Sequence, residues 1–105
     1  MDNCKKNWTE TWVGADLKFR VTIASPGFDQ DTDDWSVTIA NGTVSRTFAK
    51  ADCTHNLGGW YLCFSTATFG PGQYTATITA HVPDTDFPDG TREEVKKVTL
   101  PPVKP

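Results

Sequence analysis

Residues 73–82 read Gln-Tyr-Thr-Ala-Thr-Ile-Thr-Ala-His-Val, and they indicate the fold more clearly than any other stretch of the chain. From Tyr74 to Val82, apolar side chains alternate with threonines and a single histidine. Successive side chains of a β-strand point to opposite faces of the sheet, so a period of two is typical of a strand with one buried face. The stretch therefore predicts a long strand of an antiparallel sheet.

The same alternation recurs along the chain, and no segment has the apolar stripe of a helix. In the most C-terminal strand pattern the alternation slips by one residue between Val95 and Val98, for which we expect a β-bulge. Threonines and tryptophans near the N-terminus favour an additional edge strand. Seven strands are predicted, at residues 8–13, 17–24, 35–40, 44–50, 60–66, 73–82 and 92–100.

Turn signals separate these strands. Asn41-Gly42 predicts a tight hairpin of type I′, in which both central residues have a positive φ. Gly14-Ala15-Asp16 and Gly70-Pro71-Gly72 mark two further junctions. Seven short strands with regular turns predict an all-β antiparallel sandwich formed by residues 1–100 as one domain. The proline-rich residues 101–105 are expected to be an extended tail, either solvated or reaching a neighbouring subunit.

Two features resemble immunoglobulin-like domains. Gly72-Gln73-Tyr74-Thr75-Ala76 resembles their tyrosine corner, and Trp35 stands where their core tryptophan opens a strand. Ala76 occupies the position at which antibody domains have a cysteine, and Val21 and Ile23 lie on the strand that would carry its disulfide partner. The resemblance implies an immunoglobulin-like sandwich without the antibody disulfide.

If consecutive strands run in opposite directions, three long connections fall at one end of the sandwich. These connections, residues 25–34, 51–59 and 83–91, also contain most of the aspartates. Loops on a rigid sandwich are the usual carriers of binding function. From this end we select Asp84, Asp86, Phe87 and Asp89 as candidate partner-binding residues.

The alternating carboxylates of Asp29, Asp31 and Asp33 are weak candidates for a calcium site, since Ca²⁺ prefers oxygen ligands. Asp34 replaces the glycine that an EF-hand loop requires, and Ala40 replaces its bidentate glutamate, which excludes an EF-hand. Solvated turn residues are the simpler interpretation, and we expect no bound metal or cofactor.

Trp8 and Trp12 share one face of the predicted N-terminal strand. Tryptophan is enriched at interface hot spots, so an exposed pair would mark a partner-binding surface. The alternative is that both rings cover the open end of the core.

Three cysteines, Cys4, Cys53 and Cys63, are too few for a disulfide scaffold, and free thiols are expected. A disulfide between Cys53 and Cys63 is the alternative in an oxidising compartment. A zinc site formed by these two thiols and His55 would match no compact zinc spacing. The chain contains no catalytic motif, so we expect that it is not an enzyme.

The overall charge limits the classes of partner. With 10 basic and 13 acidic residues, a net charge of −3 and a pI near 5.1, the chain lacks the positive surface on which nucleic-acid binding depends. Nucleic acids and anionic membranes are therefore not expected as partners. The first residues do not form a secretory signal, and no apolar run reaches the roughly 20 residues of a transmembrane helix, so synthesis in the cytosol is expected.

A second resemblance involves Gly70-Pro71-Gly72-Gln73-Tyr74 together with residues 83–92. These stretches are similar to a pattern that recurs in small proteins of phages and prophages of gut Bacteroides, including crAss-like phages. The resemblance implies a virion component, an auxiliary (decoration) capsid protein or the base of a head or tail fibre, that binds other virion proteins. The alternative function is a carbohydrate-binding module, in which exposed aromatic rings stack on sugars and the acidic loops contribute contacts.

Overall fold

The structure, a computed structural model, describes residues 11–56 and 58–105, which form nine β-strands and two short 3₁₀ segments. The strands are β1 (Thr11–Trp12), β2 (Asp16–Val21), β3 (Trp35–Asn41), β4 (Val44–Ala49), β5 (Thr54–Asn56), β6 (Gly59–Ser65), β7 (Thr75–Pro83), β8 (Thr91–Thr99) and β9 (Val103–Lys104). The 3₁₀ segments are Lys50–Asp52 and Thr66–Thr68. Within the described ranges, no helix has the length and apolar character that crossing a membrane requires.

Two antiparallel sheets and one small parallel pair form the architecture. One sheet has the strand order β2-β6-β5, and the other has the order β4-β3-β7-β8. Strands β1 and β9 pair in parallel beside them. The prediction of an all-β, immunoglobulin-like antiparallel sandwich is confirmed. Strands β5 and β9 were not predicted, because each has three or fewer residues and shows no alternation.

The core lies between the two larger sheets and consists of the inward residues of β3, β6 and β7. Alternate residues of β7 are buried from Ala76 to Val82, as the period-two pattern predicts. Trp35 is fully buried, whereas Trp60 is only half-buried. The main cluster of buried residues is Val21, Trp35, Val37, Ile39, Leu62, Phe64, Phe69, Tyr74, Ala76, Ile78 and Val103.

The tyrosine corner predicted from residues 72–76 is present. The buried Tyr74 hydroxyl donates to the carbonyl oxygens of Gly70 at 2.5 Å and Thr66 at 3.2 Å. The Asn41 side-chain amide donates to the carbonyls of Phe69 and Pro71, both at 2.9 Å. These bonds pair the carbonyls of Phe69, Gly70 and Pro71 in the bend between β6 and β7, while the Thr66 carbonyl also accepts from backbone amides.

The hairpin between β3 and β4 differs in detail from the prediction. Asn41 pairs with Val44, so the two loop residues are Gly42 and Thr43. Gly42 has a φ of +59°, and no described residue other than glycine has a positive φ. A positive φ at the first loop residue alone is typical of a type II′ turn. The predicted type I′ turn was wrong because Asn41 remains in the strand, where its side chain bonds across to the β6–β7 bend.

Strand β8 has no bulge, so the β-bulge predicted between Val95 and Val98 was wrong. Its register with β7 is continuous from Pro83↔Thr91 to Thr75↔Thr99. Val95 therefore faces outward, and the slip in alternation reflects an edge strand whose inner face is only partly covered.

The predicted strand 17–24 ends earlier, at Val21. The Gln30 side chain explains this end, since its amide nitrogen donates to the Val21 carbonyl at 2.7 Å and its oxygen accepts from the Ile23 amide at 3.3 Å. A side chain thus takes the place of a neighbouring strand.

Residues 101–105 do not project from the domain. Val103 is only 2% exposed, and its backbone exchanges two 2.8 Å hydrogen bonds with Gly72. The Val13 amide donates to the Lys104 carbonyl at 2.7 Å. The composition suggested a free tail, but one buried valine and these bonds hold the segment against the tyrosine corner.

Candidate partner-binding surfaces

The candidate binding residues predicted from the sequence lie at opposite ends of the sandwich. Trp12 is in β1, which pairs with β9 near the start of β7. Asp84, Asp86, Phe87 and Asp89 belong to the loop that follows the end of β7. A nine-residue strand is roughly 30 Å long, so the two sets cannot form one contact patch. Trp8 lies outside the described residues.

Trp12 is exposed at what we call the corner end, the region around the β6–β7 bend, β1 and β9. Its residue surface is 52% exposed, and the Lys104 ammonium lies 5.8 Å from the centroid of its ring. Val13 beside it is also exposed. Trp12 therefore lies at the surface and does not cover the open end of the core.

The β7–β8 loop presents Phe87 on a framework of internal hydrogen bonds. The Asp84 amide donates to the Gly90 carbonyl at 2.8 Å, and the Gly90 amide donates to the Phe87 carbonyl at 2.9 Å. One Asp84 carboxylate oxygen accepts from the Asp86 amide at 3.0 Å. Phe87 is 45% exposed, so a well-connected loop holds an aromatic side chain in solvent.

Arg92 joins this loop to β8. Its guanidinium lies 2.8 Å from the Asp84 carboxylate and 3.1 Å from that of Glu94. The hydrogen bond from the Asp86 amide, followed by that from Arg92, lowers the pKa of Asp84. The nearby Ser25 hydroxyl, followed by Arg92, lowers the pKa of Glu94. Both carboxylates are therefore held in the charged form at neutral pH.

Aspartates at the other loops also bind backbone groups of their own segment. Asp29 accepts from the Asp31 amide at 2.9 Å, and Asp33 accepts from the Asp29 amide at 2.8 Å. Asp52 accepts from the Ala49 amide at 2.9 Å. Across residues 11–56 and 58–105, no group of three or more metal-ligating side chains is arranged to hold a metal ion. Of the weak calcium candidates, Asp29 and Asp33 accept hydrogen bonds within their own turn, and Asp31 accepts one from Trp60.

A side-chain cluster at this end was not predicted from the sequence. The His55 and Trp60 rings stack at 4.6 Å with an interplanar angle of 5°. Asp31 accepts a 2.8 Å hydrogen bond from the Trp60 indole nitrogen. Lys50 donates to the carbonyls of Asp31 and Asp33 at 2.6 and 3.1 Å. Because β5 has only three residues, no sequence pattern indicated that His55 would pair with Trp60.

An open groove of about 530 Å³ borders this cluster. Its lining includes Asp34, Lys50, Cys53, His55 and Trp60. The volume is within the range of small-molecule sites. However, His55 covers one part of the Trp60 ring and the Lys50 ammonium lies 5.3 Å from its centroid, which leaves little free aromatic surface.

Cys53 and Cys63 are both free thiols. Cys63 lies between the buried residues Leu62 and Phe64 and is exposed on the opposite face of β6, whereas Cys53 packs against the core. Burial, followed by the nearby Asp52 carboxylate, raises the pKa of the Cys53 thiol to about 11. The thiol is therefore protonated and unreactive at neutral pH.

The two edges of the four-stranded sheet differ in their accessibility. The outer edge of β4 is six residues long, and Asp52 already binds the Ala49 amide at its end. The outer edge of β8 is nine residues long.

Comparisons with protein-family models, with curated proteins and with solved structures each found no match.

Proposed function

We propose that this chain is a non-enzymatic structural protein of a phage virion, an auxiliary capsid protein or a head-fibre component that binds other virion proteins. It would be made in the cytoplasm of the bacterial host and incorporated into the particle. The proposal begins from the resemblance of residues 70–74 and 83–92 to small phage proteins.

The observation that supports this proposal most is the presence of an exposed aromatic side chain at each end of the sandwich. Trp12 is at the corner end and Phe87 is on the β7–β8 loop. Exposed aromatic residues are frequent anchors of protein interfaces. Two anchors roughly 30 Å apart suit a subunit that contacts two neighbours better than a domain that encloses one ligand.

The local structure around both anchors favours contacts with rigid partners. Trp12 lies on a strand that β9 holds in place, and Phe87 lies on a loop with three internal backbone hydrogen bonds. A surface that is already ordered loses little conformational entropy on binding.

Carbohydrate binding is the second candidate, because the groove beside Trp60 has an aromatic wall and charged groups within hydrogen-bonding reach of a sugar. The position of His55 against Trp60 argues against it, since sugar rings stack on free aromatic faces. Binding of an oligosaccharide that is lost in a Trp60→Ala variant would support this second function and contradict the first.

Mass spectrometry of purified particles tests the proposal. Particles of the phage that encodes the chain should contain it in a fixed ratio to the major capsid protein. Trp12→Ala and Phe87→Ala variants should fold but should be depleted from particles. Val44→Ala, which changes an exposed apolar residue that is neither anchor, is the matched control. Absence of the wild-type chain from particles would contradict the proposal.

A further inference from the structure

The outer edge of β8 has no partner strand in the part of the chain that the structure describes. The strand is nine residues long, and its register with β7 has no bulge. It also contains no proline. An unpaired strand of this kind can serve as a template for another strand.

The direction of the backbone groups on β8 follows from two hydrogen bonds in the same register. The Asp84 amide donates to the Gly90 carbonyl at 2.8 Å, and the Leu100 amide donates to the Tyr74 carbonyl at 3.0 Å. Along an antiparallel strand, every second residue forms backbone hydrogen bonds to a given neighbouring strand. Even-numbered residues of β8 therefore bond to β7. The odd-numbered residues direct their backbone groups outward: Thr91, Glu93, Val95, Lys97 and Thr99.

The charges of β8 are self-complementary about Val95. The strand reads Thr-Arg-Glu-Glu-Val-Lys-Lys-Val-Thr, with two acidic residues before Val95 and two basic residues after it. Suppose that a second β8 runs antiparallel with Val95 opposite Val95. Glu93 then lies opposite Lys97, and Glu94 lies opposite Lys96, on both sides of the two-fold axis. In this register, outward-directed residues face outward-directed residues.

Neighbouring registers lack this complementarity. The smallest slide that keeps outward-directed residues opposite one another is two residues, and it places Glu94 opposite Glu94 or Lys96 opposite Lys96. A slide of four residues places Glu93 opposite Glu93 or Lys97 opposite Lys97. Like charges directly opposite one another are destabilising, whereas opposite charges are stabilising. The register centred on Val95 is therefore preferred.

We propose that two copies of this chain associate through β8, antiparallel and centred on Val95, to form one continuous eight-stranded sheet. Val95 is 59% exposed in the single chain, the largest value among the exposed large hydrophobic residues that the structure describes. Over the described residues, Lys96 and Lys97 take part in no ion pair, and Glu93 has only His81 at 3.8 Å. Of the four charges nearest Val95, those of Glu93, Lys96 and Lys97 are thus largely available for a second copy, whereas Glu94 also pairs with Arg92 at 3.1 Å.

An apolar cleft beside the same edge adds a second contribution. The cleft has a volume of about 240 Å³ and lies between residues 22–24 and β8, with Ile23, Ile78 and Val95 among its lining. A second β8 centred on Val95 would cover the mouth of this cleft. Burial of its apolar lining would favour association.

The other candidate occupant of the edge is residues 1–10 of the same chain, which precede β1. Extending the parallel register of Thr11↔Val103 would place Lys5 opposite Lys97 and Asp2 opposite Glu94. Both pairs have like charges and are unfavourable. Charge complementarity therefore favours a second copy as the occupant.

Analytical ultracentrifugation of the purified chain, from about 1 to about 500 μM, tests the inference. The wild-type chain should show a concentration-dependent dimer that weakens as salt is added. A Glu93→Lys/Glu94→Lys variant and a Lys96→Glu/Lys97→Glu variant each convert four opposite-charge pairs into like-charge pairs. Each should raise the dissociation constant at least about 50-fold.

A mixture of the two variants is the decisive control. In the mixed dimer all four pairs again have opposite charges, so an equimolar mixture should form heterodimers although neither variant associates alone. Circular dichroism should show that both variants are folded. A wild-type chain that remains monomeric throughout, or a dimer that neither variant weakens, would overturn the inference. The test uses the purified chain and no virion partner, so its outcome is independent of the proposed virion function.

Discussion

The two ends of the sandwich are stabilised in different ways. At the corner end, Tyr74 and Val103 are buried; Tyr74 binds the Gly70 carbonyl in the preceding bend, and Val103 binds the backbone of Gly72 from a distant part of the chain. At the loop end, Lys50 and the aspartates make exposed or half-buried hydrogen bonds, mostly within or between loops. Hydrogen bonds in water-excluded sites are costly to remove, whereas exposed ones are replaced by water. The corner end should therefore support the stability of the whole domain, and the loop end should influence only its own loops.

Of the substitutions that we consider, replacing Val103 should lower the free energy of unfolding most. Val103→Asp places a carboxylate in a site that is only 2% exposed, so the free energy of unfolding should fall by about 3 kcal/mol or more. The same change at the exposed Val44 should cost less than about 1 kcal/mol. Urea denaturation measures both. Similar losses for the two variants would mean that residues 101–105 do not belong to the core.

Removing one hydroxyl at the tyrosine corner should have a smaller but clear effect. Tyr74→Phe removes the 2.5 Å hydrogen bond to the Gly70 carbonyl, so we expect a loss of about 1–3 kcal/mol in unfolding free energy. Tyr61→Phe removes a hydroxyl that lies on the outer face and should cost less than about 0.5 kcal/mol. If thermal and urea unfolding gave equal stabilities for the two variants, the hydrogen bonds of the Tyr74 hydroxyl would contribute nothing more to stability than an exposed hydroxyl does.

At the loop end, Lys50→Met should cost only about 1 kcal/mol, because its two carbonyl partners can bind water instead. Hydrogen exchange should accelerate at the amides of residues 29–33, while exchange in β7 remains unchanged. Lys18→Met, which removes a lysine over Tyr61, is the control and should leave these loop amides unaffected. Faster exchange in β7 after the Lys50 change would contradict the separation of the two ends.

The smallest predicted effect is a change in how the stability of the fold depends on pH. The Asp86 amide and Arg92 lower the pKa of Asp84 in the folded protein. A carboxyl with a lowered folded pKa contributes stability above its ordinary pKa, and this contribution is lost as the pH falls through the lowered value. An Asp84→Asn variant should therefore lose less stability on acidification than the wild type does. Urea denaturation between about pH 5 and pH 2 makes the comparison, and parallel curves would contradict it.

The sequence was informative about the corner end for a physical reason. Strand alternation, the positions of glycines and the tyrosine motif are local patterns, and each has a direct structural consequence. Residues 72–76 and Trp35 therefore predicted both the corner and the core. Val103 was not predicted, because a single valine among prolines has no periodicity, and its burial depends on β1 and Gly72 from distant parts of the chain.

The loop end was less predictable. The positions of the three long loops followed from strand direction, but the function of their aspartates did not. A carboxylate that binds a neighbouring amide, such as Asp29, and one that binds Trp60, such as Asp31, are indistinguishable in sequence. Tertiary contacts decide between these outcomes. The bulge predicted near Val95 failed for a related reason, since an edge strand need not keep its apolar residues on one face.

Native-state hydrogen exchange tests the contrast between the two ends most directly. The amides of Gly72, Leu100 and Val103 should exchange only through global unfolding, because they are bonded between distant segments at the corner end. The amides of Asp31 and Asp86, bonded only to carboxylates of their own loops, should exchange with free energies several kcal/mol lower. If the Val103 and Gly72 amides exchanged as readily as the loop amides, the corner end would not be the stable framework of this domain.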